Sequence, residues 1–350
     1  MGGKLLKNWG LPERRLDNIN YEKIKIDLLH TLATDVEFNE PVQLHAMAAP
    51  AIRNKVDHGD LDIIVGVFGG VDMKWKGKDF LSYIEELTTY KPHKNSNVIS
   101  FPIQGFQVDV TFVPYEEFAM SVIYTSWGDL GNLMGRIYHK MGLHYGHSGL
   151  QFWIRQGMFD NNIAWSDSDH IYEKAVLSRN AKEIFTIGGF DYDRWQQGFD
   201  SEQDVFDFVT SSKYFDPVLF QLETLNHTNR TRNKKRGMYM RFIEYVNSKE
   251  WDVKEPFLEK STYALYYQTM FPMLHKDISK YRLEYEISKV VKQKLNGKQV
   301  IEWLSLEDTD GPCAGKIMSR MKEIYTPAEL LILPIEKIKK DVVEYYSTLC

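Results

Sequence analysis

The sequence predicts an α+β protein, with a small mixed sheet near its start and a long, mostly helical remainder. Three observations predict it. Strand-like apolar runs come early, at DLDIIVGVF, NVISFPI and FQVDVTFVP, short and rich in β-branched and aromatic residues. A helical pattern, KDFLSYIEEL, lies between the first two, and strands interleaved with helices over residues 40–115 indicate a sheet with helices packed on it. Toward the end the apolar spacing is that of helices, in RFIEYV, YRLEYEISKVVKQKL and IEKIKKDVVEYY.

Taken in order, residues 1–40 are mixed and polar except for YEKIKIDLLHTLA, whose spacing predicts one amphipathic helix packed on the chain after it. Residues 41–115 carry the sheet. Residues 116–225 read as mostly helical, with glycines punctuating 142–149, and the break at NHTNRTRNKKR opens a helical C-terminal region over 226–350. No internal repeat or low-complexity tract interrupts this order.

Composition narrows the function classes. A chain of 350 residues with 43% hydrophobic and 26% charged residues can bury a full core and is expected to form two domains, or one with an appendage. A formal net charge of -5 excludes a protein that coats nucleic acid through overall positive charge, so any such contact needs a local patch. Two cysteines, Cys313 and Cys350, are too few for a disulfide framework or a cysteine zinc site and read as free thiols in a reducing compartment. No run approaches the ~18 apolar residues of a membrane span. The start, MGGKLLKNWG, lacks the apolar block of a secretory signal, and Leu6 stands where a myristoylation site wants Ser or Thr. The expected location is the cytoplasm, with no membrane partner.

The stretch HGDLDIIV carries the chemistry. A strand alternates faces, so Asp60 and Asp62 point one way while Leu61, Ile63 and Val65 point into a core. Two like charges on one half-buried face cost free energy unless something positive sits against them. In FQVDVTFVP, Asp109 interrupts Phe106, Val108, Val110 and Phe112 and lies on the opposite face, beside Gln107 and Thr111. Neighbouring strands would gather the three acids around two Mg²⁺ or Mn²⁺ ions, ~4 Å apart, that support in-line phosphoryl transfer. Asp167/Asp169, Asp191/Asp193 and Asp308/Asp310 repeat the spacing among Ser, Tyr, Trp, Thr and Gly and read as solvated loops.

This pattern resembles the nucleotidyltransferase superfamily and is most similar to the family X, polymerase β-like, DNA polymerases. In that family a Gly-Ser motif leads through an arginine to Gly-Asp-x-Asp, and a third Asp precedes Val-Pro. APAIRNKVDHGDLDIIV keeps the arginine as Arg53, and QVDVTFVP keeps the third Asp, while Ala49 and Pro50 replace Gly-Ser. Tyr124, Asn132, Arg136, Gly142-Leu143 and Gly149-Leu150 fall in step with the family's Tyr-Phe-Thr-Gly-Ser, Asn/Arg helix and Gly-Leu hairpin. SEQDVFDFVTSSKYFDP resembles its Thr-Glu-x-Asp-Ile-Phe block, so the resemblance covers roughly residues 45–220. It implies a nucleotidyltransferase palm with a mixed sheet over 41–115, a thumb-like region over 116–225 and a helical C-terminal domain. It further implies metal binding and catalysis by Asp60, Asp62 and Asp109, and nucleotide binding by Arg53, Tyr124, Thr125, Asn132 and Arg136. The family's Tyr-Phe pair crowds the sugar 2′ position, and Thr125 stands where the Phe would. The family's N-terminal helix-hairpin-helix motifs are not found.

The predicted helix around Asn132 can be checked on its own: Leu130, Leu133, Met134, Ile137 and Met141 form a buried stripe, while Asn132, Arg136 and Lys140 line another face. RTRNKKR supplies a local basic patch, Arg230, Arg232, Lys234, Lys235 and Arg236, which together with Lys140 is expected to contact nucleic-acid phosphates; the structural alternative is a solvated hinge. NGKQVIEWLSLEDTDGPCAGKIMSRMKE resembles the tail of CCA-adding and poly(A)-polymerase-type enzymes, although their Arg-Arg-Asp and Glu-Asp-x-x-Arg signatures are not evident. His144 and His147 lack a third ligand nearby for zinc, and GPCAGK is too short for a phosphate-binding loop. The expected activity is transfer of nucleotides from a nucleoside triphosphate to a nucleic-acid 3′ hydroxyl. The alternatives are template-free terminal or tRNA/RNA addition, and transfer to a protein or small molecule.

Overall fold

Strand alternation decides the N-terminal half. A 3-10 turn at Lys4–Trp9 leads into β1 (Leu16–Asp17), α1 (Asn18–Thr34), β2 (Leu44–Ala48), β3 (Asp57–His58), β4 (Asp60–Val67), α2 (Met73–Thr88), β5 (His93–Asn95), β6 (Val98–Ile103) and β7 (Phe106–Pro114). The computed structural model describes residues 4–34, 44–68, 73–159, 169–253, 255–307 and 310–349; Asp167, Asp308 and Cys350 lie outside them. Five strands form a mixed sheet in the order β2-β4-β7-β6-β5. β4 and β7 are parallel and the other neighbours antiparallel. A parallel pair needs a crossover, and here it runs through α2 and the β5–β6 hairpin.

Leu61, Ile63 and Val65 of β4 and Val108, Val110 and Phe112 of β7 turn to one face. There they are buried with Tyr21, Ile24, Leu28 and Leu32 of α1 and Phe80 and Ile84 of α2, so YEKIKIDLLHTLA does form the packed helix its spacing predicts. On the other face Ile64 and Val113 meet Phe118 and Val122 of α3 (Tyr115–Thr125), which therefore packs on the C-terminal halves of β4 and β7. In α4 (Leu130–Lys140), Leu130, Leu133, Met134 and Ile137 are buried, as is Met141 just beyond it, matching the predicted stripe.

β8 (Leu143–Gly146), β9 (Gly149–Arg155) and β10 (Ile171–Ser178) form a second sheet in the order β10-β9-β8. β10 departs from the mostly helical expectation because IYEKAVLS sets Glu173 and Lys174 side by side, which hides the period of two. Short helices come next: α5 (Ala181–Ile187), α6 (Tyr192–Gln196), α7 (Glu202–Ser211), α8 (His227–Asn233) and α9 (Gly237–Asn247). Ser201 caps α7 reciprocally with Asp204, and Asp191 caps α6 from an exposed position.

The chain divides into two compact units, residues 1–153 with 174–263 and residues 154–173 with 264–350. α10 (Lys260–Met270) runs across the division. The second unit holds α11 (Pro272–Lys294), α12 (Gly297–Leu304), α13 (Gly311–Ile324), α14 (Pro327–Ile332) and α15 (Ile335–Leu349). Val300, Ala314, Ile317, Met321, Leu330, Ile338 and Val342 make its core. No described helix is long and apolar enough to cross a membrane.

Candidate active site

The three acids share the sheet face opposite the α1–α2 core. The β4–β7 register sets Asp62 beside Asp109 and Asp60 beside Gln107, and the β6–β7 register sets Ser100 beside Asp109. Neighbouring strands stand ~4.8 Å apart, and alternate residues ~7 Å apart along a strand. Entry to β4 is held by His58, whose ring stacks on Tyr21 at 3.7 Å and whose Nε2 lies 2.7 Å from Asn18 Oδ1. Burial pushes the His58 imidazole down to about 4, so it packs as a neutral ring.

Half-burial decides the electrostatics. Burial, and then the charges of Asp60 and Asp109, raises the Asp62 carboxyl well above the usual carboxylate range. Burial likewise pushes Asp109 up to about 6; hydrogen bonds from Ser100 and Gln107 oppose the rise and the Asp60 charge adds to it. Asp109 Oδ2 accepts from Gln107 Nε2 at 2.8 Å, and Gln107 Oε1 accepts from the Leu5 N–H at 3.0 Å. Asp109 Oδ1 is buried without a partner, which is uncommon for a buried acceptor. As the side chains stand, no three His, Cys, Asp or Glu among the described residues form a group that could hold a metal ion. The fit to Mg²⁺ or Mn²⁺ rests on the all-carboxylate donor set and the orphaned oxygen, and it requires Asp109 to turn from Gln107.

The residues expected to bind nucleotide are all engaged with protein. Arg53 Nε donates to Asp200 Oδ1 at 2.5 Å and Nη1 to the Gln197 carbonyl at 2.7 Å. The N–H groups of Arg53 and Asn54 donate to the carbonyls of Phe199 and Asp200, both at 3.0 Å. Gly198 makes this approach feasible: its φ is +73°, and a Cβ there would lie 2.8 Å from Arg53 Nη1. Ala49 N–H donates to the Asp62 carbonyl at 2.9 Å, and the Pro50 carbonyl accepts from Trp127 N–H at 2.7 Å. The Ala-Pro segment thus has no backbone donor left for a phosphate. Tyr124 stands edge-on to Tyr145 and His147, with ring centroids 5.4 and 4.9 Å away. Thr125 Oγ1 donates to the Ser121 carbonyl at 2.8 Å. Asn132 Nδ2 donates to Asn233 Oδ1 at 3.3 Å and Arg136 Nε to the Leu219 carbonyl at 3.2 Å. The polar face of α4 therefore meets residues 219–233, leaving Lys140 exposed at its end.

The basic run separates into two groups. Arg230 is folded inward, its Nε and Nη2 donating to the carbonyls of Leu222 and Leu225 at 3.0 Å each, and Arg236 is ion-paired with Asp129. Arg232, Lys234 and Lys235 are exposed. His144 and His147 part ways: the first stacks near Trp153 at 4.3 Å, the second lies by Tyr124.

Several polar groups around these residues were not expected. Ser100, buried beside Asp109, had no distinguishing signal within NVISFPI. Trp127 has a left-handed φ of +62° and a buried, unpartnered Nε1, and Tyr145 Oη and His147 Nδ1 near Tyr124 are also buried without partners. Burial lowers the His147 imidazole.

No family model and no curated protein matches the chain. Among solved structures the chain is similar to Leishmania infantum polymerase beta in a ternary P/T complex, with a TM-score of 0.38 and 12% identity. The match covers 54% of this chain and 84% of that one. The likeness is too slight to bear on function.

Proposed function

We propose that this chain is a metal-dependent nucleotidyltransferase, adding nucleotides from a nucleoside triphosphate to a nucleic-acid 3′ hydroxyl. The observation that carries this reading is the parallel β4–β7 register, which sets Asp62 beside Asp109 with Asp60 on the same face. Two half-buried carboxyls there have raised pKa values, and one buried oxygen has no partner. Asp60, Asp62 and Asp109 would hold two Mg²⁺ or Mn²⁺ ions, which when bound favour ionisation of an attacking hydroxyl and neutralise a departing pyrophosphate.

The chain's own residues do the positioning. Ser100 orients Asp109, which gives up its Gln107 hydrogen bond to face the ions. Arg53 exchanges Asp200 for the triphosphate, and it carries most of that contact because Ala49 and Pro50 offer no donor. Tyr124 walls the sugar, and the small Thr125 leaves room at its 2′ position. The Thr125 hydroxyl donates to the Ser121 carbonyl and keeps its lone pairs, so this side chain offers both room and an acceptor for a 2′ hydroxyl. Lys140, Arg232, Lys234 and Lys235 take acceptor phosphates, while Arg230 and Arg236 hold the segment that presents them.

The test is extension of labelled DNA and RNA primers, with and without template, using each dNTP and NTP in Mg²⁺ or Mn²⁺. Extension that tracks the template base makes it a templated polymerase, and equal tailing of single strands makes it a terminal transferase. Asn at position 60, 62 or 109 should cut turnover by orders of magnitude with the fold retained. Activity within about tenfold of wild type in all three variants would remove the assignment, since a two-metal site would depend on the charge of each carboxylate. Nucleotide transfer to a protein with no primer extension would overturn the acceptor.

A further inference from the structure

A groove of about 500 Å³ lies on α13 of the helical unit. It arises from the helix's own pattern. Ala314, Ile317 and Met321 face the core with Val342 of α15, which turns Lys316, Ser319 and Arg320 outward into the groove, all exposed. Lys316 and Arg320 are one turn apart, with Cβ atoms ~6 Å from each other. Tyr345 of α15 packs partly on the core and also lines the groove. The Arg320 guanidinium lies 5.9 Å from the centre of that ring. Glu323 is the acid lining the groove, and it already accepts from Arg320 at 2.8 Å.

Two cations in file, a hydroxyl between them and an aromatic face alongside are what a single nucleic-acid strand requires. The cations track the backbone, and the ring stacks a base of any identity. The groove is open to solvent, so a continuous strand can lie across it. An acidic peptide would satisfy the cations but make no use of the ring.

We propose that this groove binds single-stranded nucleic acid, with phosphodiesters on Lys316 and Arg320 and a base against Tyr345. The proposal rests on the reading of the chain as an enzyme of nucleic-acid 3′ ends, since that activity supplies the strand.

The test is fluorescence anisotropy of labelled single-stranded DNA and RNA with the full chain across a series of salt concentrations, alongside primer extension. Lys316→Gln with Arg320→Gln should weaken binding about tenfold or more and flatten the log–log salt slope by about 1.4, or ~0.7 for each phosphate no longer neutralised. Tyr345→Leu should weaken binding with the slope unchanged, and Tyr345→Phe should bind like wild type, which separates loss of stacking from misfolding. Circular dichroism checks the fold of each variant. Wild-type affinity and slope in the double variant overturn the proposal, as does absence of single-strand binding by the wild-type chain. So does strand binding by Tyr345→Leu that is as tight as wild type, since a site using the cations alone suits an acidic peptide equally well. Variant-sensitive strand binding by a chain that extends no primer upholds the groove and overturns the enzymatic reading alone.

Discussion

Asp109→Asn is expected to stabilise the metal-free protein while abolishing transfer, a combination that an ordinary structural carboxylate would not produce. The Asp109 carboxyl titrates at about 6 in the folded chain against an ordinary 3.8. Below the lower value both states are protonated and nothing is lost. Between the two values the unfolded chain has released its proton while the folded chain still holds it, so stability falls as pH rises. Above about pH 6 the whole penalty stands, worth about 3 kcal/mol.

Asparagine removes that charge yet keeps an oxygen to accept from Gln107, and it sets an amide N–H where Oδ1 now has no partner. The gain should therefore approach 3 kcal/mol at about pH 8 and nearly vanish at about pH 4. Asp62, raised partly by the Asp109 charge, benefits in the same direction. The assay is chelator-treated unfolding at several pH values, monitored by tryptophan fluorescence and circular dichroism with the two units' transitions resolved. Mg²⁺ is then titrated in. At a hundredfold excess over its dissociation constant a bound ion adds ~2.7 kcal/mol, and wild type should show this gain where Asp109→Asn shows none. A variant less stable than wild type at about pH 8, or with the same difference at both pH values, refutes the electrostatic account. Equal Mg²⁺ gains refute the metal site.

Further outcomes are expected for substitutions elsewhere in the chain. Arg53→Ala should raise the nucleotide KM about tenfold or more, since a charge-assisted contact is worth ~1.5–3 kcal/mol. Its exposed pair with Asp200 adds little to stability, and Asp200→Asn should lower KM by freeing the guanidinium; steady-state kinetics showing no KM change in either variant places the phosphates elsewhere. Asp129→Ala should destabilise by roughly 3 kcal/mol or somewhat less, because it strands Arg236 in a pair whose side chains are 12% and 29% exposed. Glutamine at Arg232, Lys234 and Lys235 together should leave stability within ~0.5 kcal/mol and flatten the salt slope of nucleic-acid binding, and the reverse pattern in the two melts would exchange the assigned roles. Thr125→Phe should raise discrimination against ribonucleotides about tenfold or more, at ~1.4 kcal/mol per tenfold; unchanged discrimination in a dNTP/NTP competition assay removes Thr125 from the sugar.

What could be read without the structure divides along a physical line. Period-two alternation assigns a side chain to a face, so Asp60, Asp62 and Asp109 were legible as acids turned away from a core, as was the buried stripe of α4. Alternation says nothing about which strand lies alongside. That Asp62 meets Asp109 depends on the parallel β4–β7 pairing, which forms across a crossover of nearly forty residues, and Ser100 enters only through the β6–β7 register. The same gap explains the charged residues. A count of basic side chains in RTRNKKR cannot tell Arg230, spent on the carbonyls of Leu222 and Leu225, from Lys234 in solvent, because direction on a short helix is settled by what packs behind it. Nor could the polar face of α4 announce that residues 219–233 cover Asn132 and Arg136. Local period therefore locates chemistry on a face, and long-range pairing decides whether that chemistry has neighbours. Mutations that shift the β4–β7 register by one residue would turn Asp60 and Asp62 into the core and should abolish transfer without touching a single acid.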